Sequence, residues 1–238
     1  MASDRKKAKI TIQKQSNEID AFLDKVAAVP KTHDSSGQGR LIFAMDATAS
    51  RAPSWDKAAH IQGEMFNQTA SLGGLSVQLA FYRGFGEFKV SQWTKDTNEL
   101  LRLMTSVTCL AGETQIAKVL SHARNQSKNK KINAVIFVGD SIEEDIDKLG
   151  KLAGELGVFA IPVFMFQEGD DVMAAFAYEQ IAKLSGGVYC RFDTGAAETL
   201  KKLLSAAAVF AAGGQKALDD HAHKNGGETL MIANKLKQ

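Results

Sequence analysis

The chain has 238 residues, 45% hydrophobic and 24% charged, which is enough for one ordinary domain with short extensions and a sizeable core. Its 29 basic and 27 acidic side chains leave a formal charge of +2, so no strong overall field draws it to nucleic acid or to a membrane surface. No segment approaches the roughly 20 consecutive apolar residues that a membrane helix needs. Cys109 and Cys190 are the only cysteines, and they show neither a disulfide framework nor a zinc spacing. Together with a polar, basic start lacking an apolar core, this predicts reduced thiols and a cytoplasmic location.

In chain order, residues 1–14 carry Arg5, Lys6, Lys7, Lys9 and Lys14 and read as a solvated basic arm. Ile19, Phe22, Leu23 and Val26 fall on one face of a short helix that ends near Pro30, and Thr32 to Gly39 is a linker. Residues 1–38 are thus expected to precede the main domain, residues 39–212 to form it, and residues 213–238 to be a polar tail. Leu41 to Met45 is an unbroken apolar run, the pattern of a strand buried on both faces. A helix is expected from Pro53 to about Ser71, with Trp55, Ala59, Met65 and Phe66 toward the sheet. Leu75 to Tyr82 and Glu87 to Trp93 form a hairpin around Gly84-Phe85-Gly86, its second arm antiparallel at a sheet edge.

Asp96 to Ser106 is predicted helical, and Ile116, Val119, Leu120 and Ala123 mark another amphipathic helix. Ile132 to Gly139 is a second buried strand, followed by a helix capped by Ser141 and ended before Gly157. On this reading Glu143, Glu144, Asp145 and Asp147 sit at that helix's positive end. Val158 to Phe166 is a third strand, with an irregularity expected at Pro162. A helix over Asp170 to Leu184, a strand over Val188 to Phe192 and a helix over Ala197 to Ala212 complete the domain. This alternation defines an α/β fold: a doubly wound, mostly parallel six-stranded sheet with one antiparallel edge strand and helices on both faces.

The first and fourth strands both run into an aspartate, Asp46 and Asp140. In a sheet ordered 3-2-1-4-5-6 these strands are neighbours, and the crevice at their carboxyl ends is the topological switch point where ligands bind. Two adjacent carboxylates repel unless a cation lies between them. Thr48 and Ser50 follow Asp46 at two-residue intervals, and Thr114 opens a helix after Ala111-Gly112-Glu113. Asp46, Thr48, Ser50, Thr114 and Asp140 are therefore the candidate metal ligands, with waters completing the set. These hard oxygens suit Mg²⁺, with Mn²⁺ or Ca²⁺ possible in its place.

Asp46-x-Thr48-x-Ser50, the Gly-x-Thr ending at Thr114, and the apolar strand ending at Asp140 resemble the von Willebrand factor type A (VWA) domain with its metal-ion-dependent adhesion site (MIDAS). The resemblance covers roughly Gly39 to Ala212. It implies a Rossmann-like sheet and Mg²⁺ at the strand tops, held by the hydroxyls and by the aspartates directly or through water. It also implies a protein-binding module rather than an enzyme, with a partner's Asp or Glu filling the open coordination position, often inside a multiprotein assembly. Four positions depart from the family pattern: Thr48 for serine, Ala49 for glycine, Glu113 before Thr114 where glycine is common, and Ser141 after Asp140 where glycine is common.

Two rival readings remain. In a haloacid dehalogenase-like phosphotransferase Asp46 would be the nucleophile and Gly139-Asp140, followed by Glu143, Glu144 and Asp145, the second motif. Thr48, however, stands where that chemistry needs a general acid. In a metal-free scaffold Asp46 and Asp140 would be separated, protonated or paired, with Arg51 a partner for Asp46. The five histidines are scattered, and Gly84-Phe85-Gly86 lacks the third glycine of a dinucleotide fingerprint. Lys128 to Lys131 reads as a solvated basic turn, and Phe85 and Trp93 as edge-strand packing.

Overall fold

β1 (Arg40–Asp46) is buried at every residue, which is why Leu41 to Met45 are apolar on both faces and the polar Arg40 and Asp46 stand only at its two ends. It belongs to a computed structural model that describes residues 22, 25, 26, 39–52, 75–192 and 205–212. A single 3₁₀ turn, Ala49–Arg51, follows β1. The other strands are β2 (Ser76–Arg83), β3 (Glu87–Val90), β4 (Ala134–Gly139), β5 (Val163–Glu168) and β6 (Tyr189–Phe192). The helices are α1 (Thr97–Ser106), α2 (Ile116–Ser127), α3 (Ile146–Val158) and α4 (Val172–Ser185), and residues 205–212 are also helical.

The six strands lie in the order β3-β2-β1-β4-β5-β6, all parallel except the antiparallel edge strand β3. The sheet is the doubly wound one that the alternation predicts, with β1 and β4 adjacent at its centre. Period-two alternation sorts the strand residues between two cores. Leu41, Phe43, Met45, Ile136, Val138, Phe164 and Phe166 face α1, the 205–212 helix, Phe22 and Val26. Ile42, Ala44, Tyr82, Val135, Phe137 and Met165 face α2, α3 and α4.

Phe22 and Val26 are helical and buried, and the Phe22 ring lies 5.6 Å from that of Phe166. These two residues thus share the core of the sheet. The basic arm, the linker, the helix expected from Pro53, residues 197–204, the C-terminal tail, His33, His60, His221 and His223 fall outside the described residues.

Several boundaries differ from the sequence expectation, each for a local reason. β3 stops at Val90: Ser91 N still donates to the Leu79 carbonyl (2.8 Å), but Leu79 N donates to the Ser91 hydroxyl (3.0 Å) instead of a backbone carbonyl, and a backbone bridge forms again at Val77–Thr94. α3 starts at Ile146, where the Asp145 carboxylate accepts from Asp147 N (2.9 Å) and Lys148 N (3.2 Å); Ser141 is not its cap. Gly157 lies inside the last turn of α3 rather than past it. A Cβ there would fall 2.4 Å from the Leu184 carbonyl, so glycine serves the close approach of α3 and α4. Pro162 sits just before β5 and disturbs no ladder; its carbonyl accepts from Val135 N at 2.9 Å.

Phe22→Ala is expected to destabilise the protein by about 3–5 kcal/mol in urea unfolding, the cost of emptying a buried aromatic position. A loss below about 1 kcal/mol would mean that the N-terminal segment contributes little to the core.

Candidate functional site

Asp46, the last residue of β1, is fully buried. Its Oδ1 accepts from Thr48 N at 2.8 Å, the aspartate turn that folds the chain back over the strand end. Its Oδ2 accepts from the Tyr82 hydroxyl at 3.0 Å, and Tyr82 is its register partner on β2. The Thr48 and Ser50 hydroxyl oxygens are 3.1 Å apart. Ala49, at the position where the resembled family has glycine, lies in the 3₁₀ turn without a positive φ, so alanine costs the loop nothing.

Asp140 follows β4. Its Oδ1 is buried and has no hydrogen-bond partner among the described residues. Burial pushes the Asp46 carboxyl above the usual carboxylate range and the negative charge of Asp140 adds to the rise, while hydrogen bonds from Thr48 and the charge of Arg51 oppose it. Asp46 and Asp140 therefore sit close enough to feel each other, as the shared crevice predicts.

Thr114 is buried on the loop between α1 and α2. That loop is tied to the Asp46 loop by Leu110 N donating to the Ala47 carbonyl (3.1 Å), within a Thr48–Leu110 bridge. Thr114 is also clamped from the β4 side. Its N–H donates to Glu143 Oε2 (2.7 Å), and its hydroxyl accepts from Glu143 N (3.0 Å). Glu144 accepts from Ile116 N and, at 3.0 Å, from Ala117 N.

Glu143 and Glu144 thus hold the threonine loop and the N-terminus of α2, whose own cap residue Gln115 makes no side-chain capping bond to the helix. The sequence reading assigned both acids to the helix that follows them; the structure reassigns them. Burial pushes the Glu144 carboxyl up, and its two backbone hydrogen bonds pull it back.

Arg51 is buried beneath this cluster. Its Nε and Nη2 donate to Glu168 Oε2 at 3.0 and 2.9 Å, and its Nη1 donates to the carbonyls of Asp46 (3.1 Å) and Val138 (3.2 Å). Its hydrogen-bonded carboxylate is Glu168, while its charge also acts on Asp46, the partner that the metal-free reading offered for it as one option. The positioning roles of Tyr82, Glu143, Glu144 and Glu168 had no local signal. Only the register Asp46↔Tyr82 and the strand order bring them to the site.

Among the described residues no three His, Cys, Asp or Glu side chains form a metal-holding group. The five candidates are two carboxylates and three hydroxyls, oxygens of the kind a hard cation takes; Thr48 N on Asp46 Oδ1 and the Thr48–Ser50 hydroxyl pair join three of them directly, whereas Thr114 is held by Glu143. The buried Asp140 oxygen, without a hydrogen-bond partner among the described residues, fits such an ion.

The fold these residues stand on is that of VWA domains. The SpRpn10 VWA domain superposes with a TM-score of 0.57 at 13% identity, over 71% of this chain and 94% of that one. A von Willebrand factor type A protein from Catenulispora acidiphila gives 0.60 at 13% identity, over 72% of this chain and 43% of that one. The human COPII-coat protein Sec24c gives 0.51 at 12% identity, over 78% and 33%. The chain thus spans less than half the length of the last two. No family model matches the sequence, and no curated protein does.

Arg51→Ala strands Glu168 and two strand-end carbonyls, and is expected to cost about 3–5 kcal/mol in chemical denaturation. A cost under about 1 kcal/mol would show that water replaces the guanidinium.

Proposed function

We propose that the top of this sheet binds a divalent cation, Mg²⁺ foremost, through Asp46, Thr48, Ser50, Thr114 and Asp140. Through that ion the protein recruits a partner presenting an Asp or Glu. The observation that carries the reading is the Asp140 Oδ1, buried without a partner on a half-buried residue, at the end of the strand next to the one that ends in the fully buried Asp46. A cation offsets both the desolvation and the repulsion of the pair.

Asp46 already accepts from Thr48 N and Tyr82, which suits it to reach the ion through water, while Asp140 has a free oxygen for it. A recruiting rather than catalytic role follows from the donor set. Thr48, two residues after Asp46, is a hydroxyl turned toward Ser50 and not an acid that could shuttle protons at neutral pH. The likeness to Sec24c, a coat protein, and to the Rpn10 VWA domain supports work within a protein assembly. No helix among the described residues is long and apolar enough to cross a membrane, which accords with the cytoplasmic setting we favour.

Calorimetric titration with Mg²⁺ is expected to give saturable binding to the parent protein and none to Asp140→Ala. Asp46→Ala also removes the acceptor of Tyr82 and Thr48, so Asp140→Ala is the cleaner variant. In chelator, Asp140→Ala melts no lower than the parent, because a like charge beside Asp46 has gone. In Mg²⁺ at a hundredfold excess over Kd the parent alone gains stability, by about 2.7 kcal/mol. Equal shifts in both proteins, or none in the parent, would defeat the metal reading.

A further inference from the structure

Next to the loops that carry the candidate ligands stand two exposed apolar side chains that folding does not explain. Phe85, at the tip of the β2–β3 hairpin, is 84% exposed, and Leu110, on the threonine loop, is 46% exposed. The turn around Phe85 is held rigidly. Gly84 and Gly86 have φ of +60° and +104°. A Cβ on Gly112 would lie 2.1 Å from the Gly84 carbonyl, so the hairpin tip and the threonine loop are in backbone contact.

Arg83 Nη1 donates to the Thr108 carbonyl and hydroxyl, both at 2.7 Å; Gln115 donates to the Gly84 carbonyl at 3.3 Å, and Lys118 to that of Gly86 at 2.9 Å. Leu110 in turn bridges to Thr48. The backbone that carries Phe85 and Leu110 is therefore tied to the loops of Thr48 and Thr114, so presenting the two side chains to a partner costs little backbone entropy.

We propose that this pair is an apolar shoulder, the second half of the recruitment surface. It takes an extended segment of a partner protein in which a single Asp or Glu has a bulky apolar neighbour. The acid reaches the cation while the apolar side chain packs on Phe85 and Leu110. This rests on the metal-binding reading above.

Charge selects the partner. Glu113 is exposed between the shoulder and Thr114 and repels a second acid, so a segment with one carboxylate and an apolar flank fits better than an acidic run.

The test uses fluorescein-labelled synthetic peptides of Gly and Ser carrying one Asp and one Leu at successive offsets, followed by fluorescence polarisation in Mg²⁺ and in EDTA. At least one offset is expected to bind in Mg²⁺ only, and to lose binding when Asn replaces its Asp or Ala its Leu. Phe85→Ser should weaken that peptide about tenfold, as for loss of an interfacial aromatic anchor. It should leave the calorimetric Mg²⁺ affinity and the melting temperature unchanged.

Equal binding of the Ala peptide, equal binding by Phe85→Ser, or no peptide binding to a protein that takes up Mg²⁺ would overturn the shoulder while sparing the metal. Sedimentation showing Phe85-dependent self-association without peptide binding would reassign the shoulder to a second copy of the chain. A parent protein that takes up no Mg²⁺ would remove the metal reading and this proposal with it.

Discussion

The buried guanidinium of Arg51 is the constraint on which the strand tops depend. Three parallel strands end side by side, and carbonyls at or near the ends of β1 and β4 take a donor from outside the ladder. Arg51 donates to the carbonyls ending β1 and preceding the end of β4, and pairs with the carboxylate ending β5. One planar fork with a fixed spread of donors thereby sets the relative height of β1, β4 and β5. Asp46 and Asp140 inherit their positions from that. The same positive charge lies under two acids and opposes the upward push on Asp46 that burial and Asp140 exert. The site is thus a crowd of like charges standing on an opposite one.

Much of the fold was legible because its central strands are buried on both faces. Leu41 to Met45 and Ala134 to Val138 admit no polar residue, and such runs occur where helices cover a parallel sheet on either side. The edge hairpin was legible from its Gly-Phe-Gly turn. What the residues alone did not indicate was where short loops end and helices begin. Glu143 and Glu144 resemble a helix start, being acids before an amphipathic run, and they do stabilise a helix start. It is the start of α2, which precedes them by nearly 30 residues, a relation only the parallel strand order creates.

The candidate ligands themselves were legible as hard oxygens at strand ends. The groups that hold them were not. Tyr82 is an unremarked strand residue until the register sets it opposite Asp46. Arg51 looked like a counter-charge for Asp46, but a buried guanidinium needs more acceptors than one carboxylate supplies, and it finds them in two carbonyls and Glu168. Residue chemistry nominated the candidate oxygens; which partner satisfies which group came from topology.

The borrowed cap of α2 bears on the order in which the protein assembles. A helix that begins without its own capping side chain has a frayed first turn when isolated, since its leading N–H groups face water. Here those groups wait for Glu143 and Glu144, which arrive only after β4 has been added to the sheet. Thr114 is fixed by the same acids, so the threonine loop sets late, when long-range strand pairing is already in place. Nascent chains that have emerged only as far as α2 hold the Asp46 loop without its completed counterpart, so the proposed recruitment surface at the strand tops is completed only once β4 has joined the sheet.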